Sequence, residues 1–476
     1  MSVLATTEAV RGLGEAERPF SPGHRRLSAG LLLSITIIGF ESLGVSTALP
    51  TVSKALQGDS LYGWAFSAFL LGQLLGTVLA GTDADRHGPR RAALTSLVVF
   101  GTGLVVSACA PTMLVVVIGR ALAGLGAGAA LMLNFAVIGT AYGEATRPKM
   151  IAASQGAWIL PAMIGPAIAG PIAEHISWRL VFGGLVPLLF VVAWLQVPVL
   201  ANRAFIADEL APPHSAAGER CWIASARERI IAAFSVTLGG AGLVIGFDQR
   251  ILWRAMAFVL LGAILCAHSG RTLFPKGLVR SRPGLPSIVL AYAMLLGGFI
   301  GIEAFFPKAL SDVRGLSAFV GGVFLSTGTV FWSIGAWLQG KRAELWFRPT
   351  IRTLSALIFF LGVAIAGVGV VSGAPLPLAL AGWLLAGLGM GTTFNAITEA
   401  MYRSTPPERI GAATSATQLG GSLVAAIATG TNGALNNAAD RAGWTPRSGA
   451  WSVFAFEIGV VAFVVFAVSR VRVMGE

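Results

Sequence analysis

Apolar runs long enough to cross a membrane recur from one end of this sequence to the other. A helix of about 20 residues spans the hydrocarbon core of a bilayer, at about 1.5 Å per residue. Lipid offers no partner to backbone amides and carbonyls, so each run has to satisfy its own backbone, as a helix does. The runs lack the alternating pattern of membrane β-strands. The sequence therefore predicts an all-α membrane protein.

The composition excludes several other classes of protein. Only 12% of the 476 residues are charged and 55% are hydrophobic, whereas a soluble protein has about 25% charged residues. The formal net charge is +12, but basic loops on the cytoplasmic side of membrane helices explain it without a nucleic-acid partner. The histidines and cysteines show no metal-ligand spacing, and no GxxxxGK[ST] phosphate loop is present. We therefore expect no enzyme activity, no metal, no cofactor and no nucleic-acid partner.

The runs predict about fourteen transmembrane helices with both termini on the same side. Most of the 34 lysines and arginines fall in alternate connecting segments, which places both termini in the cytoplasm. The seventh and eighth spans are expected to cross the membrane, and a cytoplasmic helical insert is the alternative. The predicted parts are a cytoplasmic tail (1–26), a six-helix bundle (27–199), a linker with two additional helices (200–284), a second six-helix bundle (285–470) and a cytoplasmic tail (471–476).

An internal repeat supports this division into two bundles. The segment LAGLGAG at 122–128 recurs as LAGLGMG at 385–391, and Gln155 and Gln418 are separated by the same number of residues. Two repeats that face each other, with a substrate site near the middle of the membrane, are typical of alternating-access transporters.

A charge inside a predicted span needs a partner or a function. The four candidates are Glu41, Arg120, Glu303 and Glu457, whereas Glu399 lies nearer the end of its helix. Glu41 and Arg120 are predicted at nearly the same depth, roughly 12 Å from the outer end of their spans. They are expected either to exchange partners as protonation changes or to form a static ion pair. Glu303 lies near its predicted helix end and is free to snorkel outwards, and the face of Glu457 stays open. We assign all four to proton coupling.

Two segments combine helix breakers with charge or kinks. The connection 81–91 between the second and third spans is predicted to be tight and to gate the protein, with glycine permitting the turn and Asp85 accepting from arginine or helix amides. Its assigned residues are Gly81, Asp85, Arg86, Gly88, Arg90 and Arg91.

The fifth span is rich in helix-breaking residues, and it either packs closely against its neighbours or acts as a hinge that seals the interface between the bundles. Its assigned residues are Gly156, Pro161, Gly165, Pro166 and Gly170.

These motifs resemble the major facilitator superfamily, in particular its fourteen-helix proton-coupled drug-efflux branch. Segment 81–91 resembles the family's GxLaDrxGrr signature, and Glu41 followed by Ala48-Leu49-Pro50 resembles its first-helix acid-to-ALP motif. Arg120 with Gly124 and Gly128 resembles the fourth-helix RxxqGxgaG motif, and the fifth span resembles the antiporter motif. The resemblance covers residues 41–187, and the second half matches mainly in helix layout. The resemblance implies two rocking bundles and export coupled to protonation of a membrane carboxylate.

The sequence departs from the family pattern at six positions. The departures are Glu41 for aspartate, Asp83 for an apolar residue, Pro89 for a basic residue, Ala123 for glutamine, and Pro161 and Ala169 for glycine. They bear on the substrate more than on the fold.

We expect a monomeric, multi-pass protein of the inner (cytoplasmic) membrane that exports small amphipathic or drug-like compounds in exchange for protons. Its expected partners are a small-molecule or lipid-like substrate, protons and membrane lipids. An exporter or flippase of a lipid or natural product is one alternative, and a receptor or scaffold without transport is another.

Overall fold

The computed structural model describes residues 20–21, 24–142, 146–201, 225–341, 348–406 and 409–471. All regular secondary structure in these ranges is helical, as the apolar runs predict. Most of both predicted tails lies outside the described residues.

Sixteen α-helices follow one another along the described chain, with a 3-10 turn at Asp59–Leu61 and a π-helical turn at Ile172–Ser177. The first eight are α1 (Arg25–Ala55), α2 (Tyr62–His87), α3 (Pro89–Ala108), α4 (Met113–Ala141), α5 (Arg147–Gly156), α6 (Ile159–Pro171), α7 (Arg179–Gly183) and α8 (Val186–Leu200). The others are α9 (Ala226–Asp248), α10 (Leu252–Leu273), α11 (Leu285–Arg314), α12 (Ala318–Lys341), α13 (Pro349–Val371), α14 (Leu376–Ser404), α15 (Ile410–Arg441) and α16 (Pro446–Ser469).

Thirteen helical segments of the described chain are long and apolar enough to cross a membrane. Both α9 and α10 are among them, in line with the expectation that the two middle spans cross. Helix α15 is not among them, although it has 32 residues. Its threonines, serines and asparagines lower its hydropathy, and the count of fourteen spans therefore stays a prediction.

The helices pack into two groups with the same internal order. We call α1–α8 the first bundle and α11–α16 the second bundle. In the first, α4 packs against both α2 and α3, and in the second, α14 packs against both α12 and α13. The bundles meet where α2 contacts α15 and α6 contacts α12, while α9 lies beside α2 and α15. One apolar core lies within the second bundle, and the other is built mainly by the first bundle and extends to Phe305, Ala426 and Val453 of the second.

The glycine repeat explains the shared order. Glycines 124 and 128 of α4 lie against the α2 backbone at Phe69 and Gln73, where a Cβ atom would collide. In the second bundle, Gly387 and Gly391 of α14 lie in the same way against the α12 backbone at Gly328 and Trp332. Small residues let two helix backbones approach closely. The repeat is therefore a packing motif that builds the same helix pair twice.

Candidate functional site

A buried ion pair joins α1 to α4. Glu41 Oε1 contacts Arg120 Nη1, and the two residues are 0% and 2% exposed. Arg120 Nε donates to the Ala65 carbonyl at 3.1 Å, and its guanidinium lies 4.2 Å from the centre of the Phe69 ring. The arginine thus bridges α1, α4 and α2. The structure brings together the two residues that the sequence places at one depth.

The pair leaves part of the carboxylate unsatisfied. Glu41 Oε2 has no hydrogen-bond partner among the residues that the structure describes. A buried carboxylate is stabilised by an adjacent cation, whereas removal of that cation makes proton uptake favourable. The contact with Arg120 is therefore the charge compensation that the described structure gives to Glu41.

A chain of uncharged polar side chains crosses the same bundle. Asn134 Nδ2 donates to Ser34 Oγ at 3.2 Å, and Gln196 Nε2 donates to Asn134 Oδ1 at 3.5 Å. All three residues are at least 97% buried, and they join α1, α4 and α8. Sequence reasoning missed this network because it followed charged residues. The available signal was an amide side chain within each of two strongly apolar runs.

The second bundle holds Glu457 in a different way. Asn432 of α15 donates from Nδ2 to Glu457 Oε1 of α16, and from the same nitrogen to the Gly301 carbonyl of α11 at 3.1 Å. Both Asn432 and Glu457 are 0% exposed. Glu457 therefore faces the interior of its bundle, which the sequence left open.

The expected position of Glu303 near a helix end is wrong. Helix α11 continues through Pro307 to Arg314, so that Glu303 lies well inside the helix and is 8% exposed. The added turns carry Lys308 and Asp312, whose ion pair at 2.9 Å supports a helix beyond the apolar run. Glu303 lies in the second bundle, whereas the Glu41–Arg120 pair lies in the first.

Polar contacts join the two bundles at the end that the predicted orientation places outside, and we call them the outer seal. Tyr62 of α2 donates to the Ala304 carbonyl of α11 at 2.8 Å. Lys308 Nζ lies 3.1 Å from Asp59 of the first bundle, and Glu174 accepts from the first amide of α12, at Ala318. Ser67 Oγ of α2 lies 3.1 Å from Thr429 Oγ1 of α15, and Asn437 of α15 donates to the carbonyl of Ser60, just before α2, at 2.8 Å. These contacts hold the two bundles together at this end.

The predicted gating loop is largely helical. Helix α2 extends to His87, so Gly81, Asp85 and Arg86 lie within its last turns, and the expectation that Gly81 permits a turn is wrong. Only Gly88 connects α2 to α3, and its positive φ of 84° is a conformation that favours glycine. Arg90 and Arg91 lie in the first turn of α3.

Asp83, at the position where the family signature has an apolar residue, forms a hydrogen bond with His87 and a long ion pair with Arg91. Its Oδ1 lies 2.8 Å from His87 Nδ1 and 3.9 Å from Arg91 Nε. These groups are partly exposed, so the contacts are weak. The side chain of Asp85 lies outside the described residues, and its gating role stays a prediction.

The breaker-rich fifth span is a broken helix that packs against both neighbours. Helix α5 ends at Gly156 and α6 begins at Ile159. Pro161 lies against Gly39 of α1, while Pro166 and Gly170 lie against Gly322 and Phe319 of α12. A π-helical turn over Ile172–Ser177 follows and carries Glu174 of the outer seal. Gly165 faces Phe40 of α1.

The fold and these sites define a class: a polytopic membrane transporter built from two similarly packed bundles. The profile of the Major Facilitator Superfamily matches residues 31–429. The chain belongs to this superfamily, whose members carry small molecules across membranes and are not in general enzymes.

Several relatives share most of this chain at low identity. Multidrug transporter protein MdtP of Bacillus subtilis is 24% identical over 426 residues, which are 87% of this chain and 75% of the relative. A probable multidrug-efflux transporter of Mycobacterium tuberculosis is 24% identical over 408 residues, 82% of this chain and 83% of the relative. MFS-type transporter ppz2 of Metarhizium majus is 22% identical over 409 residues, 82% of this chain and 68% of the relative.

Solved structures share the fold. The inward open xylose transporter XylE from E. coli has a TM-score of 0.61 at 15% identity, covering 92% of this chain and 94% of that one. The POT family transporter PepTSo has a TM-score of 0.63 at 16% identity, covering 93% of this chain and 97% of that one.

Proposed function

We propose that this protein is a proton-coupled antiporter that exports small amphipathic or drug-like compounds by alternating access. The observation that carries the proposal is the contact between Glu41 and Arg120. A charge pair buried within a membrane bundle is costly, and such residues are typically functional. Here the pair lies between α1 and α4, next to α2, which also contacts the second bundle.

The pair suits a proton switch that depends on conformation. While Arg120 contacts Glu41, the guanidinium stabilises the ionised carboxylate. When rocking of the bundles separates them, burial favours the neutral acid, so Glu41 takes up a proton from water. Return to the first arrangement releases it. The alternative of a static ion pair predicts a fixed separation in both states of the cycle.

Drug-like substrates are supported by the relatives from Bacillus and Mycobacterium, whose names describe multidrug transport. Their bacterial origin also supports the inner membrane as the location. The basic residues of the connecting segments support cytoplasmic termini. We propose a monomer, because one chain contains both bundles and alternating access requires only that these two bundles move relative to each other.

The test is transport by purified protein in proteoliposomes with an imposed pH gradient. Glu41→Gln keeps the shape of the protonated side chain and removes its titration. We expect it to bind substrate and to support substrate exchange, but to lose accumulation driven by the pH gradient. The matched control is Glu399→Gln, because Glu399 is 39% exposed and paired with Arg403 at the end of α14. Full proton-driven transport by Glu41→Gln would remove Glu41 from the mechanism and direct attention to Glu303. Lipid transfer without dye efflux would instead indicate a flippase, and no flux at all would indicate a scaffold.

A further inference from the structure

The Asn432–Glu457 contact leaves two buried oxygens without a donor. The described structure offers no hydrogen-bond partner to Glu457 Oε2 or to Asn432 Oδ1. Asn432 Nδ2 cannot exchange places with Oδ1, because the Gly301 carbonyl and Glu457 Oε1 both need a donor on that side. Each unsatisfied buried acceptor costs about 1–3 kcal/mol, and more when charged.

Among the described residues, no basic side chain pairs with Glu457. Helices α11, α13 and α15 pack against α16. Their described charged residues, with those of α16 itself, are Glu303, Lys308, Asp312, Arg314, Arg352, Asp440, Arg441 and Arg447. Within the described ranges, none of these forms an ion pair with Glu457. An ionised carboxylate at this position would be buried without a counter-charge, which is strongly unfavourable.

One proton resolves all of these costs. A carboxylic acid with its proton on Oε2 is neutral and is a donor, and an amide oxygen is the acceptor that such a donor prefers. The pair is then a cyclic acid–amide dimer in which Asn432 Nδ2 donates to Oε1 and Oε2 donates to Oδ1. The proton comes from water and leaves a neutral pair behind.

The dimer lies beside the contact between the bundles. Asn432 precedes Gly433, which lies directly against Gly63 of α2. One turn earlier, Thr429 contacts Ser67, and one turn later, Asn437 donates to the Ser60 carbonyl. The same stretch of α15 thus carries the dimer on one face and part of the outer seal on another.

We propose that Glu457 and Asn432 form a proton-dependent clasp that fixes α15 to α11 and α16 and thereby stabilises the outer seal. Loss of the proton from Glu457 removes the donor to Asn432 and places a charge in the bundle, which loosens α15 and favours outward opening. The clasp rests on the proposed proton-coupled transport and adds a second proton site that controls the seal. Because the closed state binds the proton more tightly, a lower pH shifts the population towards closure.

The clasp is tested by distance measurements between spin labels in the absence of substrate. Labels at Ala55→Cys and Ala442→Cys, both at exposed positions on either side of the seal, report its opening in a background without the native cysteines. We expect the wild-type distance to lengthen from acidic to alkaline buffer. Glu457→Gln donates to Asn432 as the acid does, so its distance should stay short at both pH values. Glu399→Gln serves as the matched control and should respond to pH as the wild type does.

Two results would overturn the clasp: no lengthening in the wild type, or an unchanged pH response in Glu457→Gln. If Glu457→Gln does not fold, infrared spectroscopy of the wild type in acidic buffer decides. The wild type should show the C=O stretch of a protonated carboxyl group, and the same band should be shifted in Asn432→Leu. A band at the same position in both proteins would rule the clasp out. Transport by Glu41→Gln is a separate readout. If the clasp fails its test but Glu41→Gln still loses proton-driven transport, the proposed antiport stands. If the clasp passes its test but Glu41→Gln keeps proton-driven transport, the proposed role of Glu41 in antiport is removed and the clasp stands.

Discussion

Lys308 of α11 contacts Asp59, which precedes α2, at 3.1 Å, and so joins the second bundle to the first. The same ammonium lies 2.9 Å from Asp312, one turn further along α11. The Lys308 side chain is 10% exposed and that of Asp59 is 48% exposed, so water screens the contact only from the Asp59 side. One buried cation therefore separates two carboxylates that belong to opposite bundles.

Lys308→Gln should open the outer seal. Without the ammonium, Asp59 and Asp312 repel each other, and the link between the bundles is lost. We expect a longer distance between labels at Ala55→Cys and Ala442→Cys, measured by electron spin resonance. Lys54→Gln removes an equal charge, but Lys54 is 58% exposed and 3.6 Å from Asp312, so it should have little effect. Equal distances in the two variants would show that Lys308 does not hold the seal.

Arg120→Ala should destabilise the protein through Glu41. Removing one partner of a buried pair leaves an uncompensated charge, at a cost of about 3–5 kcal/mol. We expect a lower melting temperature in detergent, and partial recovery when Glu41→Gln is added, since the neutral amide needs no cation. Arg120→Lys keeps the charge but loses the contacts with Ala65 and Phe69, so it should fall between. A double variant no more stable than Arg120→Ala would contradict this account.

The glycine repeat predicts a position-dependent effect of alanine. Gly128→Ala places a methyl group against the α2 backbone at Gln73, and Gly391→Ala does the same against α12 at Trp332. Both should lower the melting temperature. Gly139 on the same helix α4 has no atom within 4 Å of an added Cβ, so Gly139→Ala should be neutral or stabilising by up to about 1 kcal/mol. Similar melting temperatures for all three variants would contradict the packing role of the repeat.

The sequence predicts this fold well because lipid imposes simple rules. A long apolar run has to be helical, and a charge inside it needs a partner. These rules suffice for the helices and for the pairing of Glu41 with Arg120. The repeat in α4 and α14 could be recognised in the sequence for a similar reason, because only glycine permits such close contact between helix backbones.

The remaining features depend on tertiary contacts that hydropathy does not encode. Helix α11 extends past Pro307 because its polar turns pack into the outer seal, and sequence reasoning therefore misplaced Glu303 and overlooked Lys308. Helix α15 is too polar to resemble a membrane span because its asparagines serve Glu457 and the seal. In both cases the polar residues that obscure the helix make tertiary contacts, either with the other bundle or within their own.

The orientation of the chain is tested by labelling two exposed positions in intact cells. Ser60 lies at the predicted outer end of the first bundle, and Lys341 ends α12 on the predicted cytoplasmic side. In a background without Cys109, Cys221 and Cys266, we expect a membrane-impermeant maleimide to label Ser60→Cys from outside. Lys341→Cys should react only after the cells are permeabilised, because the connecting segments on that side of the membrane are rich in lysine and arginine and such segments stay in the cytoplasm. The reverse pattern would invert the topology and turn the outer seal into an inner one. Labelling of both positions from outside would mean that an even number of spans lies between them instead of the predicted nine, and the fourteen-helix count would then be wrong.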